Sequence, residues 1–271
     1  MSENLQSIEA FVGESKAIFT QTLAQAQSLP ANTVQVWPGG ATFSSIQAAI
    51  DSINNAGPQL QFQVAVGSGT YKENVTMKDY VYIIGSGQTN TFITAPGQGG
   101  TPNGVVNTAS NCGISEVTIT ATGGSWGTWP AAVKLTGSGK FHISGVTIIS
   151  SDSGIAGNNV RGITNNTGSY GGQLVIGQSI IKASGVDQST TEAMELFGMN
   201  GLTVSIELTA IEVDASQSFG VTTAGGTNVT LTDCKISAST WALYDSDGAS
   251  PITANQCVIN GPVSGGVVVN P

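Results

Sequence analysis

Two families of short apolar segments alternate along the second half of this chain, and their spacing restricts the fold more than any other feature. The first family ends at Ile119, Ile148, Ile180, Ile211, Ile236 and Ile259, which lie 23 to 32 residues apart. The second is centred on Val133, Ile163, Met194, Val221, Leu243 and Val267, spaced by 22 to 31 residues. Both alternate apolar with small polar residues between Gly, Asn or Ser, as half-buried strands do between turns. A unit of this period cannot bury its apolar face alone and must stack on copies of itself. Two such strands per turn predict an all-β parallel β-helix. From the second family to the next member of the first the distance is nearly constant, 15 to 17 residues, whereas the return varies from 7 to 15. The constant half reads as scaffold. The variable half reads as loops on one side, where repeat proteins carry their binding surfaces.

Stacking in register also accounts for the composition. Only 9% of residues are charged, against roughly 25% in an ordinary soluble domain, because like charges stacked on successive rungs repel one another. The net charge of −9 argues against nucleic acid or an anionic membrane surface as partner, since both require clustered Lys and Arg. No apolar run has the length of a membrane span. The segment from Met1 to Asn4 and beyond lacks signal-peptide character, so the reading is cytoplasmic if the sequence is complete and secreted if a leader has been removed. N-x-T sequons at Asn74, Asn165 and Asn228 matter only in the second case. Cys112, Cys234, Cys257 and the single His142 do not form a zinc pattern. Cys234 and Cys257 occupy equivalent places in neighbouring repeats and are expected as stacked buried thiols. No cofactor or metal is expected.

An open solenoid end exposes unpaired strand edges and needs a cover. Leu5, Ile8, Phe11, Val12, Phe19 and Leu23 recur at helical spacing, and Ser44-Ser45 precede a second run at Ile46, Ala49, Ile50 and Ile53 with the pattern of a capping box. This predicts a helical segment over residues 1–31, serving as a cap or a partner helix, and a β-helix domain over 32–271 whose N-terminal end the second helix plugs.

The candidate functional residues fall on the variable side. Trp126, Trp129, Asp152, Asn159, Gln188, Glu192 and Gln217 combine aromatic faces, amides and carboxylates, which suits a groove that stacks on sugar rings and takes directional hydrogen bonds from hydroxyls. Glu195 lies in the same stretch. Asp187 and Asp214 follow the same strand family on successive rungs and, with Arg161, are the candidate catalytic set; Arg161 also has a plainer role in neutralising a nearby acid. Asp245-Ser246-Asp247-Gly248 reads as a glycine turn rather than a calcium loop. His142 has no triad partner and reads as structural.

The N-terminal stretch carries a recognisable pattern. Ala41 to Asp51 reads ATFSSIQAAID, Val64 to Val75 reads VAVGSGTYKENV, Tyr82 to Gly87 reads YIIGSG and Thr91 to Thr94 reads TFIT. This resembles the opening of pectin methylesterases and their pectin-lyase-like relatives, and the match covers residues 41 to 94. The resemblance implies a right-handed parallel β-helix. In that family an oxyanion-binding Gln and an acid/base Asp sit in G-Y-Q-D-T-L, a nucleophilic Asp follows in D-F-I-F-G, and an Arg comes later. Here the corresponding rung, Gly185 to Thr190, reads GVDQST, with Gln and Asp exchanged; Ser216 falls at the nucleophile, and no Arg follows Arg161. The expected reading is a carbohydrate-recognising, non-catalytic relative that binds a polysaccharide or oligosaccharide. The alternatives are a polysaccharide-active enzyme using the carboxylates and a self-associating surface or fibre component.

Overall fold

The computed structural model describes residues 32–39, 42–96, 104–123, 130–152, 159–165, 171–186, 190–198 and 201–271. The expected helix before residue 32 lies outside them, as do Trp126, Trp129, Asp187 and Gln188. Among the described residues the chain winds through three parallel sheets of ten, eight and seven strands in turn, each strand pairing with its counterpart one turn later. The result is a parallel β-solenoid, as the repeat requires.

Each turn carries three strands, not the two read from the periodicity. The third belongs to the ten-stranded sheet: Ser138–Ser144, Gly171–Gly177, Thr203–Glu207, Asn228–Thr232 and Ile252–Asn255 stack on one another. In sequence it runs straight into the first family, because the corner between them is made largely by one residue of left-handed backbone. Glu116, Gly145, Gln178, Leu208, Asp233 and Gln256 occupy that corner on successive turns, with φ between 48° and 60°. Five of the six are not glycine, although a Cβ disfavours this conformation, so no glycine signal marks the bend.

Register corrects two further assignments. The isoleucine ladder runs Ile119, Ile148, Ile181, Ile211, Ile236 and Ile259, one residue past Ile180, which pairs with Thr147 and Ala210. A one-residue slip exchanges the faces of a strand, and it is Ile181 that is fully buried. Val267 pairs with Ile252 in the ten-stranded sheet; the residue beside Leu243 is Val263. Truncating Ile181 to Ala should therefore cost about 2–5 kcal/mol, as for other large-to-small core changes, and Ile180→Ala far less. Urea midpoints of the two variants check the ladder.

The second expected helix forms over Ile46–Ser52, and Ile46, Ala49 and Ile50 enter the core. Ser45 caps it by accepting from the Ala48 amide at 3.2 Å. Glu73 completes the cap, accepting from the Ser45 hydroxyl at 2.7 Å and from the amides of Ile46 and Gln47 at 2.8 and 3.0 Å. Tyr71, from the same G-T-Y-K-E element, is buried and donates to the Gly67 carbonyl at 3.0 Å. The family-like opening is thus a folding device that joins the first rung to its helix.

Cys234 and Cys257 stack on neighbouring turns, the Cys234 amide lying 3.4 Å from the Cys257 sulfur, but only Cys234 is buried as expected and Cys257 is half-buried. Burial pushes the Cys112 thiol up to about 12 and that of Cys234 up to about 11, so both stay protonated and inert at neutral pH. Asn165, one of the sequon residues, is buried and bridges to Phe197 through two hydrogen bonds of 2.7 Å.

Candidate functional site

The seven-stranded sheet departs from simple alternation, and that departure builds the site. On each turn a small residue and a large apolar residue both face the core: Ala132-Val133, Gly162-Ile163, Ala193-Met194, Gly220-Val221 and Ala242-Leu243. Gly162 and Gly220 are needed because a Cβ there would lie 2.5 Å from the Ala193 carbonyl and 2.4 Å from that of Ala242. Two consecutive inward residues bend the strand, so the residues on either side both turn away from the core. One outward row runs Ala131, Arg161, Glu192, Phe219 and Trp241, and the other Lys134, Thr164, Glu195, Thr222 and Tyr244. Successive members stand about 4.8 Å apart along the solenoid.

Charge and aromaticity divide this corner. Arg161 pairs with Glu195 and lies 3.6 Å from the Glu192 carboxyl; a second guanidinium nitrogen donates to Glu195 at 2.9 Å. The Thr164 hydroxyl also donates to Glu195, at 2.8 Å. All three charged residues are only 5–6% exposed. Burial and, secondarily, the neighbouring Glu195 raise the Glu192 carboxyl, Arg161 opposes them, and the balance stands at about 8. Glu192 therefore carries a proton at neutral pH, and the cluster holds one net acid–guanidinium pair plus one neutral acid. A buried carboxyl that holds its proton above its ordinary value is suited to donate it. On the next two rungs Trp241 and Tyr244 stack with ring centroids 5.5 Å apart, and Phe219 lies 5.6 Å from Tyr244. These three rings are half-buried and form a platform beside the acids.

Arg161 and Glu192 are thus brought together as candidates, but in strands rather than in loops. Gln217 is exposed at the start of the strand that carries Phe219, and Asn159 is half-buried just before the strand Val160–Thr164. Asp152 follows the strand Thr147–Ser151 of the eight-stranded sheet, its amide donating to the Ser184 carbonyl at 3.1 Å. Asp214 ends the strand Ala210–Asp214 of that same sheet, in register with Ser184. It lines a shallow groove of about 570 Å³ beside the exposed Lys182–Glu212 ion pair of 2.9 Å. Asp214 is therefore on a different sheet from Arg161.

Phe219, Trp241 and Tyr244 were not among the candidates; the signal that identifies them is the recurring small-apolar dipeptide with an outward residue on each side. In the turn after Tyr244, Asp245 accepts from the amides of Gly248 and Ser250 at 3.1 and 3.3 Å, and Asp247 accepts from that of Ala249 at 3.0 Å. Their oxygens serve the turn, and among the described residues there is no cluster of ligands suited to a metal ion.

Solved structures with the same architecture are found at high confidence. A pectin methylesterase from Erwinia chrysanthemi superposes with a TM-score of 0.52 at 14% identity, over 86% of this chain and 81% of that one. One from carrot gives 0.53 at 11%, over 90% of each chain. A pectin methylesterase in complex with a hexasaccharide gives 0.55 at 11%, over 90% of this chain and 94% of the other. This chain shares the pectin methylesterase fold. At such identities the likeness concerns architecture alone. No family model and no curated protein matches the sequence.

Proposed function

We propose that this protein is a carbohydrate-recognising parallel β-helix whose binding face is the outer corner of the seven-stranded sheet. The observation that carries the reading is the Phe219–Trp241–Tyr244 platform set against the Arg161–Glu192–Glu195 cluster. Aromatic faces take the CH faces of a sugar, and the adjoining polar edge fixes its hydroxyls. The solved relative bound to a hexasaccharide supports a glycan partner for this architecture. With a net charge of −9 and Arg161 already paired, the face disfavours a polyanion. A neutral or esterified polysaccharide is the better partner. On an array holding polygalacturonate, highly methyl-esterified pectin and neutral glycans, binding is expected to the last two classes and to weaken about tenfold in Trp241→Ala and Tyr244→Ala. Binding that both variants retain at full strength refutes the site.

A second reading follows from the protonated Glu192 beside Glu195: an acid–base pair acting on the bound polymer. In that case reducing-end or methanol release from a polysaccharide panel falls by two or more orders of magnitude in Glu192→Gln while platform binding persists. Absence of turnover in the unmodified protein leaves the binding role.

A further inference from the structure

We infer that a second site, on the ten-stranded sheet, accepts a single neutral sugar ring, and that Gly113 creates it. Tyr82, Gly113 and His142 are in register on three successive rungs, with Gln63 on the rung before. Their neighbours along the strands, Val81, Ile83, Cys112, Ile114, Phe141 and Ile143, face the core, so this row faces outward. Every rung of the row from Gln63 to Thr253 carries a side chain except the one at Gly113. Tyr82 and His142, two rungs apart, are separated by about 9.6 Å at the backbone. The missing side chain lets Tyr82 and His142 close in over the Gly113 backbone, where a Cβ would stand 3.2 Å from each, and a cavity of about 260 Å³ remains beside them, bordered by Gln61, Gln63, Ser115 and Ser144.

Its chemistry selects the ligand. The lining includes no charged residue, which removes any advantage for a uronate or phosphate. One ring face, one imidazole, two amides and two serine hydroxyls around an apolar floor match a pyranose, with a CH face for Tyr82 and hydroxyls for the others. Burial, and secondarily the Lys140 ammonium, hold the His142 pKa below its ordinary value, so the imidazole is neutral and can both donate and accept. A volume just under the range of drug-sized pockets fits one ring rather than an oligomer. The site lies on a different sheet from the aromatic corner and does not depend on it.

His142 is the single histidine of the chain, so its imidazole resonances report this cavity alone. Titration with methyl β-glucopyranoside and methyl β-galactopyranoside, read by carbon–proton correlation spectra, is expected to give a saturable shift of His142 for at least one of them. Gly113→Val displaces Tyr82 and His142 from the cavity wall, since a Cβ at 113 would lie 3.2 Å from both Tyr82 Cδ1 and His142 Cβ, and should weaken the response at least tenfold. Tyr82→Ala, a truncation of a half-exposed side chain, should do the same without altering the core. Trp241→Ala should leave the titration unchanged, which separates this site from the corner. A His142 signal unmoved by both glycosides, one equally responsive in Gly113→Val and Tyr82→Ala, or one that answers only to an aromatic probe such as indole overturns the inference.

Discussion

Replacing Arg161 by Met is expected to destabilise the protein by about 3–5 kcal/mol at neutral pH, among the largest effects of any single substitution. The guanidinium pairs with Glu195 and lies against Glu192, both on the adjoining strand, and all three side chains are buried. Without it the Glu195 carboxylate stays in the same low-dielectric surroundings with no opposite charge, and a buried ion that loses its partner costs more than the pair contributed. Converting the acids to Gln as well, in Arg161→Met/Glu192→Gln/Glu195→Gln, removes the stranded charge and should recover much of the loss. Urea denaturation of the two variants measures both effects. A loss below about 1 kcal/mol in the single variant would show that the cluster is solvated, as surface ion pairs are.

The second large effect is on the pH dependence of stability. In the unfolded chain Glu192 ionises near its ordinary value of 4.5, and in the folded protein it keeps its proton up to about 8. Between those values the folded state binds more protons than the unfolded one, so stability falls as pH rises, by up to about 1.4 kcal/mol per unit. The contribution is complete below pH 4.5, is lost progressively through the window and is flat above it. Glu192→Gln should remove this slope, making the stability difference between variant and parent itself pH-dependent over that range. Asp247 acts in the opposite sense and elsewhere: the Gly225 and Ala249 amides lower its pKa, so its contribution is present above the ordinary value of 3.8 and is lost on acidification. Thermal midpoints of both proteins from pH 4 to pH 9 decide the matter, and parallel profiles would contradict the assignment.

The solenoid was legible because stacking forces equivalent residues to recur, so that Ile119, Ile148, Ile211 and Ile236 announce a ladder before any coordinates exist. Its third strand was not, since one left-handed residue such as Gln178 or Leu208 turns the chain without interrupting the apolar run. The same kind of local exception hid half of the candidate site. Where Gly162-Ile163 and Gly220-Val221 both face inward, the outward positions fall three residues apart, at Arg161 and Thr164 or at Phe219 and Thr222, a spacing that does not read as a strand face. Arg161 and Glu192 were found because charge is scarce in this chain. Trp241 and Tyr244 were missed because an aromatic residue within an apolar segment reads as core.

Recognition of a neutral or esterified glycan at the aromatic corner is tested most directly by titration calorimetry of the intact protein with a methyl-esterified galacturonate hexamer and a neutral hexamer, alongside Trp241→Ala. Saturable heat with at least one ligand, reduced about tenfold or more in the variant, is the predicted result. No heat with either at millimolar concentration, or equal affinity in Trp241→Ala, contradicts it.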